Sequence, residues 1–446
     1  MARFQTPILI FSFAFLLSTI LLHSSVVFAI RHGSKTWVFS LSLHHPDSKL
    51  NHTAIQGFSR LEGDKARVNY INSRLRKALF KSSDPRFGSE EIQTPIANQG
   101  GAYIASLGVG QPATEFNLLA DTGSEVTWLQ CAPCTSGCEG SVFDPSRSSS
   151  YQPLSCSSQK CDALQEANKC GTSSDGGCSY AVSYGDQSFS RGDFITETLS
   201  FGRSGTVRNV GIGCGRENGG NVADGGFTGI LGLGPSPISF PSQIKATSFS
   251  YCLVEPGSGS SSTLDFNSVA PRDSVNVALN RNPSADVYYY VELSGITVGE
   301  DQVQIPPSVY KIGSDGTGGI IVDSGTTLTY LDSDVYSSFI DAFQRNAQNL
   351  PGSPVSVQGL DSCYKFPSGT SASSIKGLAM KLEFSDGQTV PFGPGNYFIQ
   401  VDNSTFCLAF QPTGQIVSII GNVLQSGMRV TYDLGNSLIG FSPKKC

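Results

Sequence analysis

The sequence predicts a mainly β chain built as two pseudo-symmetric β lobes with a cleft between them. Three observations carry that prediction. A nine-residue phrase occurs twice: Asp121-Thr122-Gly123-Ser124-Glu125-Val126-Thr127-Trp128-Leu129 returns as Asp323-Ser324-Gly325-Thr326-Thr327-Leu328-Thr329-Tyr330-Leu331. Each copy follows an apolar run, Asn117-Leu118-Leu119-Ala120 or Gly319-Ile320-Ile321-Val322, so each reads as a strand that delivers a carboxylate at a tight turn. From about Pro95 onward, short apolar runs such as Tyr103–Val109 and Val287–Leu293 are separated by Gly, Ser, Asn and Pro, the texture of an all-β body. At roughly 350 residues, that body is too long for one small core.

Along the chain, residues 1–29 read first as a signal peptide. Arg3 gives a basic start, Ile8 to Val27 is mostly apolar, and Val27-Phe28-Ala29 offers small residues at a cleavage site. The apolar run is also long enough for a membrane anchor, but the cleavage site and the lack of a second apolar span favour a removed leader. No ER-retention tetrapeptide or lipid-anchor tail ends the sequence at Ser442–Cys446, so the chain is expected in the secretory pathway without a stable membrane anchor. Residues 30–94 read as a prosegment. Within it, Gly63–Phe80 places Val68, Ile71, Leu75 and Leu79 at helical spacing with basic residues between them, until Ser82-Ser83-Asp84-Pro85 breaks the pattern.

The N-terminal lobe is expected over 95–270 and the C-terminal lobe over 271–446, the boundary falling in the loose stretch between about 268 and 284. One helix interrupts the C-terminal lobe. Ser333 can cap a segment with Val335, Phe339, Ile340 and Phe343 on one face, stopped by Pro351-Gly352. The repeat extends further: Gly229-Ile230-Leu231-Gly232 and Ser418-Ile419-Ile420-Gly421 each follow their aspartate by about a hundred positions. A glycine there lets a supporting strand approach the aspartate turn closely, so gene duplication is the simple reading.

Composition then narrows the chemistry. All five histidines, His23, His32, His44, His45 and His52, precede residue 53. Removal of the prosegment leaves no imidazole, which excludes Ser-His-Asp and Cys-His catalysis and histidine-ligated zinc. Residues 30–91 carry 11 Lys+Arg against 6 Asp+Glu, a net of +5, whereas residues 92–446 carry 18 against 30, a net of −12. A basic leader on an acidic body suggests electrostatic docking that weakens as carboxylates protonate. The acidic body gives no support for nucleic-acid binding.

Two carboxylates brought together by the repeated turns cannot both ionise cheaply and would share one proton. Asp121 and Asp323 are therefore the candidate catalytic pair, one taking a proton from water while the other gives one to a peptide carbonyl, with no metal or cofactor. Gly123 and Gly325 allow close backbone approach. Thr122 and Ser324 are placed to bond across the interface, and Ser124 and Thr326 to donate to the outer carboxylate oxygens. Tyr184-Gly185-Asp186 sits between two strand-like runs, at the tip of a hairpin that could close over substrate. Trp128 is either core or a support for Tyr184 through its indole N–H.

These residues carry a resemblance. The chain looks like a pepsin-type aspartic protease, and more closely the plant nepenthesin-like group with its guard-cell relatives, across residues 95–446. It rests on Asp121-Thr122-Gly123-Ser124, Tyr184-Gly185-Asp186, Gly229-Ile230-Leu231-Gly232-Leu233-Gly234, Asp323-Ser324-Gly325-Thr326 and Ile419-Ile420-Gly421-Asn422. The group's cysteine-rich insertion is also present, as Cys131, Cys134, Cys138, Cys156, Cys161, Cys170 and Cys178. The resemblance implies a bilobal pepsin-like fold, catalytic Asp121 and Asp323, Tyr184 as flap tyrosine backed by Trp128, and self-removal of the prosegment in acid. It implies a protein or peptide substrate in the cleft, the chain's own prosegment as inhibitor, a monomer, and an extracellular (apoplast) destination, with ER or vacuole as alternatives. It also implies the pairs Cys131–Cys134, Cys138–Cys214, Cys156–Cys178, Cys161–Cys170, Cys252–Cys446 and Cys363–Cys407; from the residues alone only an even count of 12 follows, with zinc at Cys131-x-x-Cys134 as the alternative. Asn51 and Asn403 head glycosylation acceptor triplets. A binding or inhibitor protein on the same fold is the competing reading; such relatives lose an aspartate, a motif glycine or the flap tyrosine, and this sequence keeps all of them.

Overall fold

Each copy of the repeated phrase folds as the same strand, turn and strand, supported by the same third strand. The computed structural model describes residues 39–44, 56–79, 103–164, 167–168, 170, 176–184, 188–220, 227–254, 261–414, 417–443 and 446. The expected leader at 1–29, Asn51, Gly185 and the end of the prosegment near 94 lie outside them. In chain order, the elements that build the site are β1 (Phe39–His44), α1 (Gln56–Leu79), β2 (Ile104–Val109), β3 (Thr114–Asp121), β4 (Trp128–Gln130), β5 (Ser179–Ser183) and β6 (Phe189–Ser200). They continue as β7 (Thr206–Gly219), β8 (Gly229–Gly232), β9 (Ser261–Phe266), β10 (Ile320–Val322), β11 (Thr329–Asp332), α2 (Ser333–Asn346) and β12 (Ser418–Ile420).

The two repeats match in register. In the first, β3 runs parallel to β8 with Asp121 opposite Gly232, and β4 returns antiparallel with Trp128 opposite Ile230. In the second, β10 runs parallel to β12 with Val322 opposite Ile420, and β11 returns with Tyr330 opposite Ile419. A Cβ on Gly232 would collide with the backbone of Glu125 and Val126, and one on Gly421 with that of Thr327 and Leu328. Both glycines are therefore needed for the close approach that the sequence suggested.

Among the described residues, four sheets carry the two β lobes. A fourteen-stranded sheet includes β2, β3, β8, β4, β7 and β6, while β10, β12 and β11 lie in a five-stranded sheet, beside two of four strands. The segment expected to be a prosegment enters this framework directly. β1 is antiparallel to β9 on one side and β2 on the other, inside the large sheet rather than at its edge. Helix α1 is longer than its periodicity suggested. It buries Val68, Ile71 and Leu75 against Tyr288, Tyr290, Leu328 and Val423 of the C-terminal half. Three such side chains removed from water contribute roughly 5–9 kcal/mol of transfer free energy before ordering costs.

Helix α2 buries Val335, Phe339, Ala342 and Phe343, with Ile340 packed at the margin. Its cap is Asp332, not the expected Ser333: the Asp332 carboxylate accepts from the N–H groups of Asp334 at 3.0 Å and Val335 at 3.4 Å. Among the described residues, no helix is long and apolar enough to cross a membrane.

The disulfides correct the expected pairing. Cys252–Cys446 and Cys363–Cys407 are formed, but the other four are Cys131–Cys214, Cys134–Cys138, Cys156–Cys170 and Cys161–Cys178. The parallel pairing of β4 with β7 sets Leu129 beside Cys214 and brings Cys131 within 5.2 Å of it, Cα to Cα. Cys131–Cys134 and Cys138–Cys214 are thereby replaced, and neither thiol of Cys131-x-x-Cys134 is left for zinc. The expected Cys156–Cys178 and Cys161–Cys170 exchange partners inside one cluster, where Cys161 and Cys170 sulfurs lie 3.3 Å apart without being bonded. Spacing along the chain cannot resolve sulfurs packed so closely. Digestion under non-reducing conditions, read by mass spectrometry, is expected to yield linked peptides for Cys131–Cys214 and Cys134–Cys138; a Cys138–Cys214 peptide would overturn this arrangement.

Candidate active site

At the ends of β3 and β10, Asp121 and Asp323 face one another, both fully buried. The turns hold them alike. Gly123 N–H donates to Asp121 Oδ1 and Gly325 N–H to Asp323 Oδ1, each at 2.9 Å. A Cβ on Gly123 would collide with Asp323, and one on Gly325 with Asp121, so a side chain at either position would push the carboxylates apart.

Hydroxyls lock the two turns together. Ser324 N–H donates to Thr122 Oγ1 at 2.9 Å, Thr122 N–H donates to Ser324 Oγ at 3.1 Å, and Ser324 Oγ donates to Ala120 O at 3.0 Å. The outer oxygens are treated differently. Thr326 Oγ1 donates to Asp323 Oδ2 at 2.6 Å, whereas Ser124 Oγ is buried without a hydrogen-bond partner. Arg67 of α1 engages both Asp121 oxygens, at 2.5 and 3.4 Å, and the nearby Ser124 hydroxyl pulls the Asp121 carboxyl down without forming a bond like that of Thr326.

Arg67 was not singled out by the sequence, yet it is the centre of the site. Its Nη2 also reaches Asp323 Oδ1 at 3.0 Å, and its Nε lies 2.8 Å from Asp323 Oδ2 and 3.0 Å from Thr326 Oγ1. Burial works against this guanidinium, but the two aspartates outweigh it and hold Arg67 firmly protonated. Burial raises the Asp121 carboxyl; Arg67 opposes the rise and Asp323 adds to it, leaving it above the usual range. Burial also pushes Asp323 up, but Arg67 and the donors Thr326 and Gly325 outweigh it and hold that carboxyl below the usual range.

One turn before Arg67, Asp64 docks on the second repeat. Its carboxylate accepts from the N–H of Thr327 at 2.8 Å and of Leu328 at 2.5 Å. Burial raises it to about 6, the two N–H groups offsetting only part of the rise. One turn after Arg67, the ring of Tyr70 lies 6.4 Å from that of Tyr184, which directly follows β5 of the β5–β6 hairpin. Trp128 resolves the choice left open by its spacing in favour of both roles. It is fully buried, and its Nε1–H donates to the Tyr184 hydroxyl at 2.7 Å.

Residues 103–266 match the family model "Xylanase inhibitor N-terminal" and residues 288–443 the model "Xylanase inhibitor C-terminal". The chain is 37% identical over 423 residues to aspartic proteinase nepenthesin-1 of Nepenthes gracilis, spanning 93% of this chain and 92% of that protein. It is 37% identical over 402 residues to the Arabidopsis thaliana protein ASPARTIC PROTEASE IN GUARD CELL 2, spanning 87% of this chain and 83% of that one. Among solved structures, edgp superposes with a TM-score of 0.62 at 20% identity over 77% of this chain and 91% of its own. Soybean basic 7S globulin gives 0.58 at 20% identity over 76% and 92%. Likeness at that identity speaks for the fold alone.

The cross-lobe hydroxyls make a direct prediction. Ser324→Ala leaves the Thr122 N–H and the Ala120 carbonyl without their buried partner, which is expected to lower the stability of the chain by about 1–3 kcal/mol. Urea unfolding checks it; a midpoint equal to that of the unsubstituted chain would mean these bonds do not hold the two turns together.

Proposed function

The chain belongs to the nepenthesin-type plant aspartic proteases, and we propose that it is a secretory-pathway endopeptidase that cleaves peptide bonds in acid and is made as a self-inhibited precursor. The observation that carries the proposal is the single guanidinium of Arg67 bridging Asp121 and Asp323. Two buried carboxylates with one cation between them carry the same net charge as two carboxylates sharing one proton. Arg67 thus stands where the shared proton, attacking water and scissile carbonyl would be. Once α1 leaves, the ionised aspartate takes a proton from water and the protonated one gives its proton to the carbonyl oxygen. Tyr184, with Trp128 behind it, closes over the bound peptide and limits water. Asn403, exposed in its Asn-Ser-Thr triplet, is the glycosylation acceptor on this reading.

The family models described as xylanase inhibitors favour a second reading, a silent binding protein on the same fold. Against it stand both aspartates, both turn glycines and the Tyr184–Trp128 contact. The expected outcome is cleavage of denatured protein at pH about 3–5, blocked by pepstatin and by Asp121→Asn. An unsubstituted chain that neither processes itself nor cuts substrate anywhere in acid would sink the enzyme reading. Arg67→Ala is expected to give a precursor with a cleft open to pepstatin near neutral pH; a precursor that stays closed would remove Arg67 from the inhibition.

The pH dependence has two parts of opposite sign. Docking of Arg67 displaces the shared proton, so falling pH weakens docking by up to about tenfold per pH unit. Asp64 is raised on docking, from the ordinary 3.8 to about 6, so between those values falling pH relieves its burial and tightens docking. Its protonation therefore holds the precursor closed through mild acid. Asp64→Ala removes that opposition together with two hydrogen bonds, and is expected to move self-processing about one pH unit higher, since each tenfold loss of docking corresponds to one pH unit. An unchanged processing profile would contradict this role.

A further inference from the structure

The prosegment helix offers the cleft a second cation. Arg74 follows Arg67 by seven residues, about 10.5 Å along the helix axis. Its Nη2 lies 3.4 Å from both carboxylate oxygens of Glu125. Both side chains are largely buried, 24% and 16% exposed. The Tyr70 ring lies 5.9 Å from the Arg74 guanidinium, so the cation is held between an anion and an aromatic face.

Glu125 stands on the cleft wall. It is the residue after Asp121-Thr122-Gly123-Ser124, and with Ser124, Val126, Val182 and Tyr184 it lines a cavity of about 960 Å³ beside the helix. The other charged pair there is self-contained, Arg281 with Asp286. The second repeat has a neutral residue, Thr327, at the position of Glu125. Departure of α1 therefore uncovers one anion close to the dyad, on the flap side, with its guanidinium removed.

From this arrangement we infer that Glu125 is a specificity-determining residue that receives a lysine or arginine side chain of the substrate, Arg74 being the chain's own occupant of that subsite. This deepens the endopeptidase reading and rests on it. The 10.5 Å between the two arginines corresponds to about three residues of extended peptide, which places the preferred basic residue within three positions of the scissile bond.

The test uses the chain freed of its prosegment by limited proteolysis, at pH about 5.5. Peptides sharing one cleavable core carry Lys, Arg, norleucine, Gln or Glu at each of the three positions on either side of the scissile bond. At one position, kcat/KM is expected to be about three- to fivefold higher for Arg or Lys than for norleucine, the range of a partly exposed ion pair. Glu125→Gln should bring that ratio to about one, and Glu125→Lys should shift the preference to Glu at the same position. The same peptides are measured for binding to the Asp121→Asn protein by fluorescence anisotropy. Tighter, Glu125-dependent binding of basic peptides without cleavage by the unsubstituted chain would keep the subsite and overturn the endopeptidase reading. No basic preference in binding or cleavage, or a preference that survives Glu125→Gln, would overturn the subsite.

Discussion

The rest of the structure depends on two buried carboxylates being forced to face each other. Asp121 and Asp323 have no exposed surface, and such a pair cannot keep both charges without a compensating cation or proton. Everything around it serves that confrontation. Parallel strands in matching register end at the two aspartates, glycines admit the opposing carboxylates, and the Thr122 and Ser324 hydroxyls tie the turns across the interface. With the two turns fixed, the site must choose its compensating charge, and the chain supplies Arg67.

Holding that cation requires more than its own ion pairs. An isolated buried pair is weak evidence for net stability, because desolvation cancels much of the attraction. What seats Arg67 is the apolar stripe Val68, Ile71 and Leu75, together with β1 inside the large sheet. These contributions barely depend on pH. Strand β1 and helix α1 are thus held by packing, with Arg67 supplying the charge that the two carboxylates require.

Much of this was legible in the sequence. The repeated phrase located both aspartates, their glycines and the cross-lobe hydroxyls, because a turn that must admit an opposing carboxylate tolerates few residue types. Alternating apolar runs identified the β body, and helical spacing found the buried face of α1. Arg67 was not legible. It is one basic residue among several in a basic helix, and its partners lie 54 and 256 positions away. Asp64 was hidden for the same reason, since it bonds backbone N–H groups that leave no mark on composition. The disulfides failed differently. Their pairing follows from strand register between β4 and β7, and from three sulfurs crowded together, those of Cys156, Cys161 and Cys170, with Cys178 bonded to one of them, none of which the spacing of cysteines records.

The departures from symmetry are as informative as the symmetry. Two identical repeats would give two equivalent carboxylates, yet general acid–base hydrolysis needs one acid and one base. The repeats differ where that distinction is made. Thr326 donates to Asp323 Oδ2 at 2.6 Å, whereas the Ser124 hydroxyl lies close enough to lower the Asp121 carboxyl but forms no bond of that geometry. A hydroxyl donor stabilises the ionised form, so the frame favours charge on Asp323 and leaves Asp121 the better seat for a proton. The Thr326 bond lies wholly within the second repeat and does not need Arg67, so the bias is built into the repeat itself. The hairpin bearing Tyr184 and the anion of Glu125 both belong to the first repeat. Duplication therefore supplies a frame that brings two carboxylates together, and a few unmatched side chains give that frame a direction.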